Sequence, residues 1–475
     1  MRFQNIFVIN KNILREILIL AFPVILSNIS RVFMMLTDTA MVANLGKNSI
    51  AAVGIGGVIC WSFIAISISL RTATQSVTAR RLGQEKLYEC GLAMRNGQLL
   101  ALCIGLPLSI GGYFLTKPIV YFFITDMNVV SLCIDYTKIL FLSIYFTYAN
   151  FVFVGFFTGI ERTTLLLKIT IISNLINIYL NAGLIYGSNN VIRFFESIEI
   201  FDMTYLSYLW KIISFPELGV KGAALGTLIA TLFTFFYYIY HLFNKNIQKI
   251  FGTLKGTLVN KAMLIKQVQV AYPQAIEEFL GAFAWALFFK IIAMIGTVEL
   301  AAFHIINNIF HLGFMPAIGI GQACSTLVGK YLGEKNEEKA LISIIEATRC
   351  SLILMGIIGT TFMLFPEYIF NLFTTESNLL NYGILGLQIS GIILFFDAFG
   401  LTIWFALSGA GDTLYPAIAS VLLTWLFYVP GSYLTGIILD MGFYAPLLCI
   451  STHVALFAIM MVLRVISGKW KYHQI

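Results

Sequence analysis

Charged side chains are few in this sequence of 475 residues. Aspartate, glutamate, lysine and arginine make up 11% of it, against about 25% in soluble domains, which excludes a water-soluble enzyme. The seven cysteines show no CxxC or Cys/His spacing, which argues against a zinc site or a disulfide framework. The five scattered histidines offer no cluster for a membrane-embedded enzyme. We therefore expect no enzymatic activity and no cofactor.

Hydrophobic runs of about twenty residues, long enough to cross a bilayer, occupy most of the chain instead. Hydrophobic residues make up 59% of the sequence, and its mean hydropathy is +0.87. These values predict an all-α membrane protein with twelve transmembrane helices. The predicted spans are centred in the windows 14–40, 49–72, 92–115, 131–157, 165–186, 220–241, 263–292, 300–322, 343–365, 381–407, 416–437 and 444–466.

The formal net charge of +7 comes from basic residues that collect in alternate loops and form no basic stripe. This pattern argues against a nucleic-acid partner and follows the positive-inside rule. Lysines and arginines are enriched in the loops that follow every second predicted span, such as the segment around Arg80 and Arg81. The distribution predicts an integral protein of the cell (inner or plasma) membrane with both termini in the cytoplasm.

An internal repeat at an offset of 250 residues organises the chain. It needs no gap between residues 23 and 163, and each half carries six predicted helices. An even number makes the repeats parallel, with a substrate path expected between them. We predict an amino-terminal lobe (1–241), a cytoplasmic linker (242–262) and a carboxy-terminal lobe with a short cytoplasmic tail (263–475). The matching pairs are Pro23 and Pro273, Gly46 and Gly296, Ala51-Ala52 and Ala301-Ala302, Leu82-Gly83 and Leu332-Gly333, Gly159 and Gly409, and Thr163 and Thr413.

Three acidic residues within the predicted spans break this symmetry. A carboxylate inside a membrane helix costs about 2.5–3.5 kcal/mol on insertion scales, so it usually faces a cavity or a partner. Asp38, Glu278 and Asp397 correspond at the offset of 250 to neutral residues, namely Phe288, Asn28 and Thr147. Packing needs would be shared by both lobes, whereas a coupling site need occur only once. These carboxylates are therefore the first candidates for function.

Other polar and small residues give local predictions. Glu277 is not expected to belong to the site of Glu278, because the side chains of adjacent helix residues point about 100° apart. Gly83 and Gly333 are expected to cap helix ends, and Asp412 to cap the following helix. The segment 187–215 is expected to be an extended outside loop, with a short interfacial helix as the alternative.

Several motifs together resemble the multidrug and toxic compound extrusion (MATE) transporters, in their NorM-like branch, over essentially the whole chain. The resemblance implies two six-helix lobes around a central cleft and drug export driven by inward flow of Na⁺ or H⁺. The motifs are LTDTAMVANLG around Asp38, GVKGAALGT at 219–227, LVGKYLGEKNEEKA at 327–340, FFDAFG around Asp397 and SGAGDTLYPA at 408–417.

The resemblance also implies which residues form the coupling sites. Asp38 would be the amino-lobe carboxylate, completed by Asn177, Asn181 and Thr227. Asn177 and Asn181 are four residues apart, so their side chains share one helix face. In the carboxy lobe, Glu278 and Asp397 match an acidic pair. The sequence leaves open whether Na⁺ or H⁺ is the coupling ion and which lobe carries its site.

We therefore predict a monomeric secondary antiporter that exports small organic compounds, cationic or zwitterionic, by alternating access. The alternative is a flippase for lipid-linked oligosaccharides in the same superfamily. Its cleft would be basic, and Arg31, Arg71 and Lys290, all within predicted spans, favour it. The roles of these three cations stay open at this point.

Overall fold

A computed structural model describes residues 9–475 except 125, 198–203, 256–258, 375 and 474. In that part of the chain the regular structure is helical. The amino-terminal half contains α1 (Lys11–Ala43), α2 (Lys47–Ile64), α3 (Ile66–Gly83), α4 (Leu87–Phe123), α5 (Met127–Gly159), α6 (Thr163–Tyr186), α7 (Ser188–Glu196), α8 (Thr204–Ile212), α9 (Val220–Leu242) and α10 (Lys245–Phe251). The carboxy-terminal half contains α11 (Lys261–Ile295), α12 (Thr297–Gly333), α13 (Glu337–Leu364), α14 (Pro366–Asn371), α15 (Ser377–Ala410), α16 (Leu414–Leu423), α17 (Val429–Tyr433) and α18 (Tyr444–Ser467).

Twelve spans in the described residues are long and apolar enough to cross a membrane, which confirms the predicted architecture. Helices α2 and α3 form one broken span, and α16 and α17 form another with two π-helical segments, Thr424–Tyr428 and Leu434–Ile438. Each predicted window falls on one of these spans. Most helices extend a turn or more beyond their window, because their polar ends carry no hydropathy signal.

The two halves have helices with matching bounds. The α2–α3 span runs from Lys47 to Gly83 and α12 runs from Thr297 to Gly333, so both bounds differ by 250 residues. Helices α5 and α15 begin at Met127 and Ser377, again 250 apart. Similar helical patterns thus occur in both halves, while the lobe and linker boundaries drawn from the sequence stay predictions.

The first helix of each half packs against the other half near its beginning and against its own half further along. Before Pro23, Ile13 and Ile17 of α1 belong to a core cluster formed with α12, α13 and α15 of the other half. After Pro23, Ser30 of α1 accepts a hydrogen bond from Asn174 of α6, with the Asn174 Nδ2 and Ser30 Oγ atoms 2.7 Å apart. Proline removes a backbone hydrogen bond and weakens the helix there. The change of partners therefore falls where α1 bends most readily.

Helix α11 has the same arrangement around Pro273. Before it, Met263 and Val270 pack into the core of the amino-terminal half. After it, Phe288 and Ile292 pack into the core of the carboxy-terminal half. Each half thus holds the beginning of the other half's first helix.

The two halves meet tightly at the end of the bundle predicted to be cytoplasmic. Gln75 Nε2 of α3 donates to the Gln322 carbonyl of α12 at 2.9 Å, and Ser76 Oγ donates to the Ser408 carbonyl at 2.7 Å. One turn further along α3, Arg80 Nη2 donates to the Ala410 carbonyl at 3.0 Å. Side chains from α3 thus satisfy backbone carbonyls of the other half, so this end is closed.

Gly83 and Gly333 form the closest part of this contact. A Cβ atom on Gly83 would lie 1.9 Å from the Lys330 carbonyl oxygen, and one on Gly333 would lie 2.3 Å from the Arg80 carbonyl oxygen. Their expected role as helix caps is wrong, because the left-handed residues beyond these helices are Glu85 and Lys335, each with φ of 60°. Glycine is needed here for close backbone approach.

The linker segment lies against α4 of the amino-terminal half. Arg95 Nη1 donates to the Gly252 carbonyl at 2.9 Å, and the Tyr88 hydroxyl donates to the Lys255 carbonyl at 2.7 Å. Gly252, with φ of 58°, ends α10 in the left-handed conformation that glycine tolerates. This part of the linker is therefore docked.

The segment predicted as an extended outside loop contains two helices, α7 and α8, so that prediction is wrong. Trp210 of α8 donates through Nε1 to the Tyr179 carbonyl of α6 at 3.2 Å and stacks on Phe195 of α7. An exposed ion pair of 2.8 Å joins Lys211 to Glu196, and this hydrogen bond raises the pKa of Lys211. The aromatic contacts explain why the segment folds onto α6. Residues 198–203 of this segment lie outside the described residues.

Asp412 has a different role from the helix cap that was predicted. Its carboxylate forms an ion pair with Arg464 of α18, with Oδ2 2.7 Å from Nε, and its side chain is 1% exposed. Helix α16 begins after Thr413, with no side-chain hydrogen bond capping it. A hydrogen bond between two charged groups is stronger than one to a neutral backbone N–H. The Asp412 carboxylate therefore pairs with Arg464 and does not cap α16.

Replacing Gly83 by valine should open the closed end, because the new Cβ would meet the Lys330 carbonyl oxygen. Overpacking of this kind costs about 1–3 kcal/mol, which would reduce the closed state about tenfold. Spin labels at Lys47→Cys and Thr297→Cys, at the far ends of α2 and α12, should report shorter distances by double electron–electron resonance. The measurement needs a background without native cysteines.

Gly281→Val is the matched control, since a Cβ at Gly281 meets nothing within 4 Å. It should leave the distance distribution unchanged. If Gly83→Val also leaves it unchanged, the glycine contact does not hold this end closed.

Candidate functional site

Polar residues of α1 and α6 form a hydrogen-bonded cluster in the amino-terminal half. Asn181 Nδ2 donates to Asp38 Oδ1 at 2.8 Å and to Asn177 Oδ1 at 3.1 Å. Asn177 and Asn181 are both 0% exposed, while Asp38 is partly exposed. Three of the six residues predicted as coupling sites are thus brought together, with the carboxylate at the open side.

Two glycines of α9 allow this helix to pack closely against α6 behind the cluster. A Cβ on Gly222 would lie 2.1 Å from the Leu184 carbonyl oxygen, and one on Gly226 would lie 1.9 Å from Asn181 Oδ1. Small residues four apart allow two membrane helices to approach closely. The spacing is visible in the GVKGAALGT run, but nothing in the sequence indicates that Gly226 supports the site.

The cluster offers oxygen atoms to a small cation or a place for a proton. Asn181 Oδ1 and Asn177 Nδ2 are buried without a hydrogen-bond partner in the described part of the chain. One carboxylate with amide oxygens is a donor set that suits a hard monovalent cation. A rotation of the Asn181 amide would turn its oxygen toward Asp38, and protonation of Asp38 would give that oxygen a donor.

Thr227 is not hydrogen-bonded to the cluster. Its hydroxyl donates to the Ala223 carbonyl one turn earlier on α9, at 3.1 Å. The residue directly follows Gly226, so it lies beside the packed face and not within the hydrogen-bonded set. Its predicted role as a ligand stays a prediction.

The carboxy-terminal acids are separate from one another. Glu277 accepts a hydrogen bond from Trp404 Nε1, at 3.2 Å to its Oε1, so the two residues tie α11 to α15. Glu278 instead lies within electrostatic range of Arg71 in the other half. Asp397, two turns before Trp404 on α15, has no hydrogen-bond partner among the described residues. Glu278 and Asp397 are therefore not joined by a hydrogen bond.

The three intramembrane cations occupy two different places. Arg71 lies within electrostatic range of Arg31 and Glu278. Lys290 lines a separate cavity of about 520 Å³ between α11 and the π-helical span, together with Met294 and Tyr433 among others. Arg31 and Arg71 are not among the residues that line this cavity.

Fold and site together define a polytopic membrane protein of two packed helical halves, closed at one end and with intramembrane acids in each half. The MatE family profile matches residues 23–182 and 273–434, once in each half. The chain belongs to the MatE family. The two matched ranges begin 250 residues apart and end 252 apart.

Named relatives cover nearly the whole chain. It is 25% identical over 458 residues to the "Probable multidrug resistance protein NorM" of Thermotoga maritima, covering 96% of this chain and 93% of the relative. It is 22% identical over 413 residues to the "Probable multidrug resistance protein YoeA" of Bacillus subtilis, covering 86% and 84%. The similarity to these relatives thus extends beyond the two ranges matched by the family profile.

Solved structures share the fold. A "multidrug resistance MATE family transporter of the MOP superfamily" in an outward-facing conformation superposes with a TM-score of 0.84 at 21% identity, covering 96% of this chain and 97% of that one. A MOP superfamily transporter from Pyrococcus furiosus superposes with a TM-score of 0.85 at 20% identity, covering 100% and 99%. The twelve-span architecture is therefore that of MATE transporters.

Gly226→Ala should impair the amino-lobe cluster, because the added methyl group would displace Asn181 from Asp38. A hydrogen bond to a charged group contributes about 1.5–3 kcal/mol, so we expect export activity to fall about tenfold or more. The measurement is dye efflux from cells with equal amounts of protein in the membrane.

Gly57→Ala is the control, because a Cβ at Gly57 of α2 meets nothing within 4 Å. It should retain wild-type efflux. Normal efflux by Gly226→Ala would show that the Asp38–Asn181 contact is not needed for transport.

Proposed function

We propose that this protein is a secondary antiporter that exports small organic compounds in exchange for Na⁺ or H⁺. The observation that carries the proposal is the partly exposed Asp38 carboxylate on the buried amides of Asn177 and Asn181. An ionisable group within a membrane span is by default a candidate for an ion or proton pathway. The relatives named as multidrug resistance proteins supply the substrate class.

In alternating access, the end that is closed in this structure would open and the outer end would close. With the basic loops in the cytoplasm, as we propose, the present arrangement is open to the outside. The contact around Gly83 and Gly333 must then separate in the inward-open state. The hydrogen bonds of Gln75 to the Gln322 carbonyl and the Thr326 hydroxyl, and the Lys330–Glu161 ion pair, would break in that change.

Helix α1 would connect ion binding to this change. Beyond Pro23 it carries Asp38 against α6, and before Pro23 it packs into the other half. Occupation of Asp38 by a cation or proton alters its bond with Asn181, and the resulting movement of α1 reaches the closed end. Coupling requires only that ion and substrate favour different states.

Glu278 and Asp397 would serve a second site in the carboxy-terminal half. Both are intramembrane acids, and Glu278 lies within electrostatic range of Arg71 in the other half. We further propose that the protein functions as a monomer in the plasma membrane with both termini in the cytoplasm. None of the relatives named above supports the flippase alternative.

Neutralising the proposed coupling acids should abolish gradient-driven export. We expect Asp38→Asn, Glu278→Gln and Asp397→Asn each to reduce efflux at least tenfold, because an amide neither releases a proton nor carries the charge that attracts Na⁺. Initial rates in proteoliposomes with equal protein amounts provide the measurement.

Glu277→Gln is the neighbouring control. A glutamine oxygen can still accept the Trp404 hydrogen bond, so at least half of wild-type efflux should remain. If the three variants of the proposed coupling acids all retain wild-type rates, these acids are not the coupling sites.

The coupling ion can be identified by imposing the two gradients separately. Proteoliposomes with a sodium gradient at equal pH, and with a pH gradient at equal sodium, should show transport of an organic cation in one case only. Asp38→Asn liposomes provide the background. If neither gradient drives transport of any organic compound, the antiport proposal is wrong.

A further inference from the structure

The floor of the cleft lies where the two halves first touch. On α1, Ile25 contacts Gly319 of α12, whose added Cβ would lie 2.4 Å from the Ile25 side chain. On α3, Gln75 makes the first hydrogen bonds to α12, to the Gln322 carbonyl and to the Thr326 hydroxyl, both at 2.9 Å. Residues one or two turns beyond these contacts lie toward the open end.

Two arginines occupy that position. Arg71 lies four residues before Gln75 on α3, hence on the same face and one turn toward the open end. Arg31 lies six residues after Ile25 on α1 and is exposed. The two guanidinium groups lie within electrostatic range of each other.

The Arg71 side chain is packed against its neighbours, but no ion pair with a described residue balances its charge. Its side chain is 9% exposed and lies over the Phe151 ring at 5.9 Å. Its Nε is buried without a hydrogen-bond partner, and no ion pair within 4.0 Å joins Arg71 or Arg31 to a described residue. A buried, partly unsatisfied cation in a membrane protein is costly unless an anion pairs with it.

The surrounding groups also favour an anion. Arg71 lies within electrostatic range of one acid, Glu278, and of a second cation, Arg31. The amide nitrogens of Asn28 on α1 and Gln322 on α12 are buried without partners. An oxyanion would satisfy such unpaired donors.

We propose that the cleft floor binds the carboxylate of an organic acid or zwitterion between Arg31 and Arg71. This inference rests on the proposed transport function and specifies its substrate class. A planar carboxylate matches the fork geometry of a guanidinium. A purely cationic compound would leave both arginines unpaired.

Two dyes that differ only at this group test the proposal. Rhodamine B carries a cationic ring system and a free carboxylate, and its methyl ester lacks the negative charge. Binding would be measured at equilibrium by fluorescence anisotropy, with the purified protein in phosphatidylcholine nanodiscs and no gradient. We expect the wild type to bind rhodamine B about tenfold more tightly than the ester, as hydrogen bonds to a charged group imply.

The variants identify the residues responsible. Arg71→Gln should bind both dyes equally, and Arg71→Lys should retain part of the preference, because lysine keeps the charge but not the fork. Lys290→Gln is the matched control, an intramembrane cation in a different cavity, and should retain the full preference. If Arg71→Gln is not monodisperse, Arg31→Gln replaces it with the same expected loss.

Equal wild-type affinities, or a preference that survives Arg71→Gln, would overturn the proposal. Because no gradient is imposed, the result is independent of antiport. A protein that prefers the acid but shows no gradient-driven transport would refute the antiport proposal alone. A protein that transports but does not discriminate would refute this inference alone.

Discussion

Helices α3 and α12 approach one another so closely that their backbones are in contact at the closed end of the bundle. Gly83 and Gly333 carry no side chains that could separate the helices, so each approaches a carbonyl oxygen of the other half. With the backbones this close, Gln75 and Arg80 reach carbonyl groups across the interface. The same contact places α3 against the other half and closes this end of the bundle.

Much of this architecture could be predicted from the sequence. Hydropathy identified the twelve spans, because each must be apolar over about twenty residues whatever its neighbours are. The repeat identified Gly83 and Gly333 as equivalent, but a glycine at a helix end is as compatible with a cap as with close packing. Only the position of the partner helix distinguishes the two, and sequence spacing does not contain it.

The candidate site, too, could be predicted only in part, because sequence spacing does not contain the positions of neighbouring helices. Asn177 and Asn181 share a face of α6 because of helical periodicity, and Asp38 stood out because its counterpart, Phe288, is apolar. Which of Glu277 and Glu278 faces the other half depends on the rotation of α11 against Trp404. Arg71 was visible as an anomalous charge, but its neighbours come from helices far apart in the chain.

The exchange of first helices has a consequence for how the two halves arose. Ile13 and Ile17 pack in the carboxy-terminal core, while Met263 and Val270 pack in the amino-terminal core. A single six-helix half would leave the beginning of its own first helix without a core to cover it. Two such halves could cover one another only as a pair that trades this segment, which is the geometry of a domain-swapped dimer. Gene fusion would then join subunits that were already interlocked, and neither half would be expected to form a complete unit by itself.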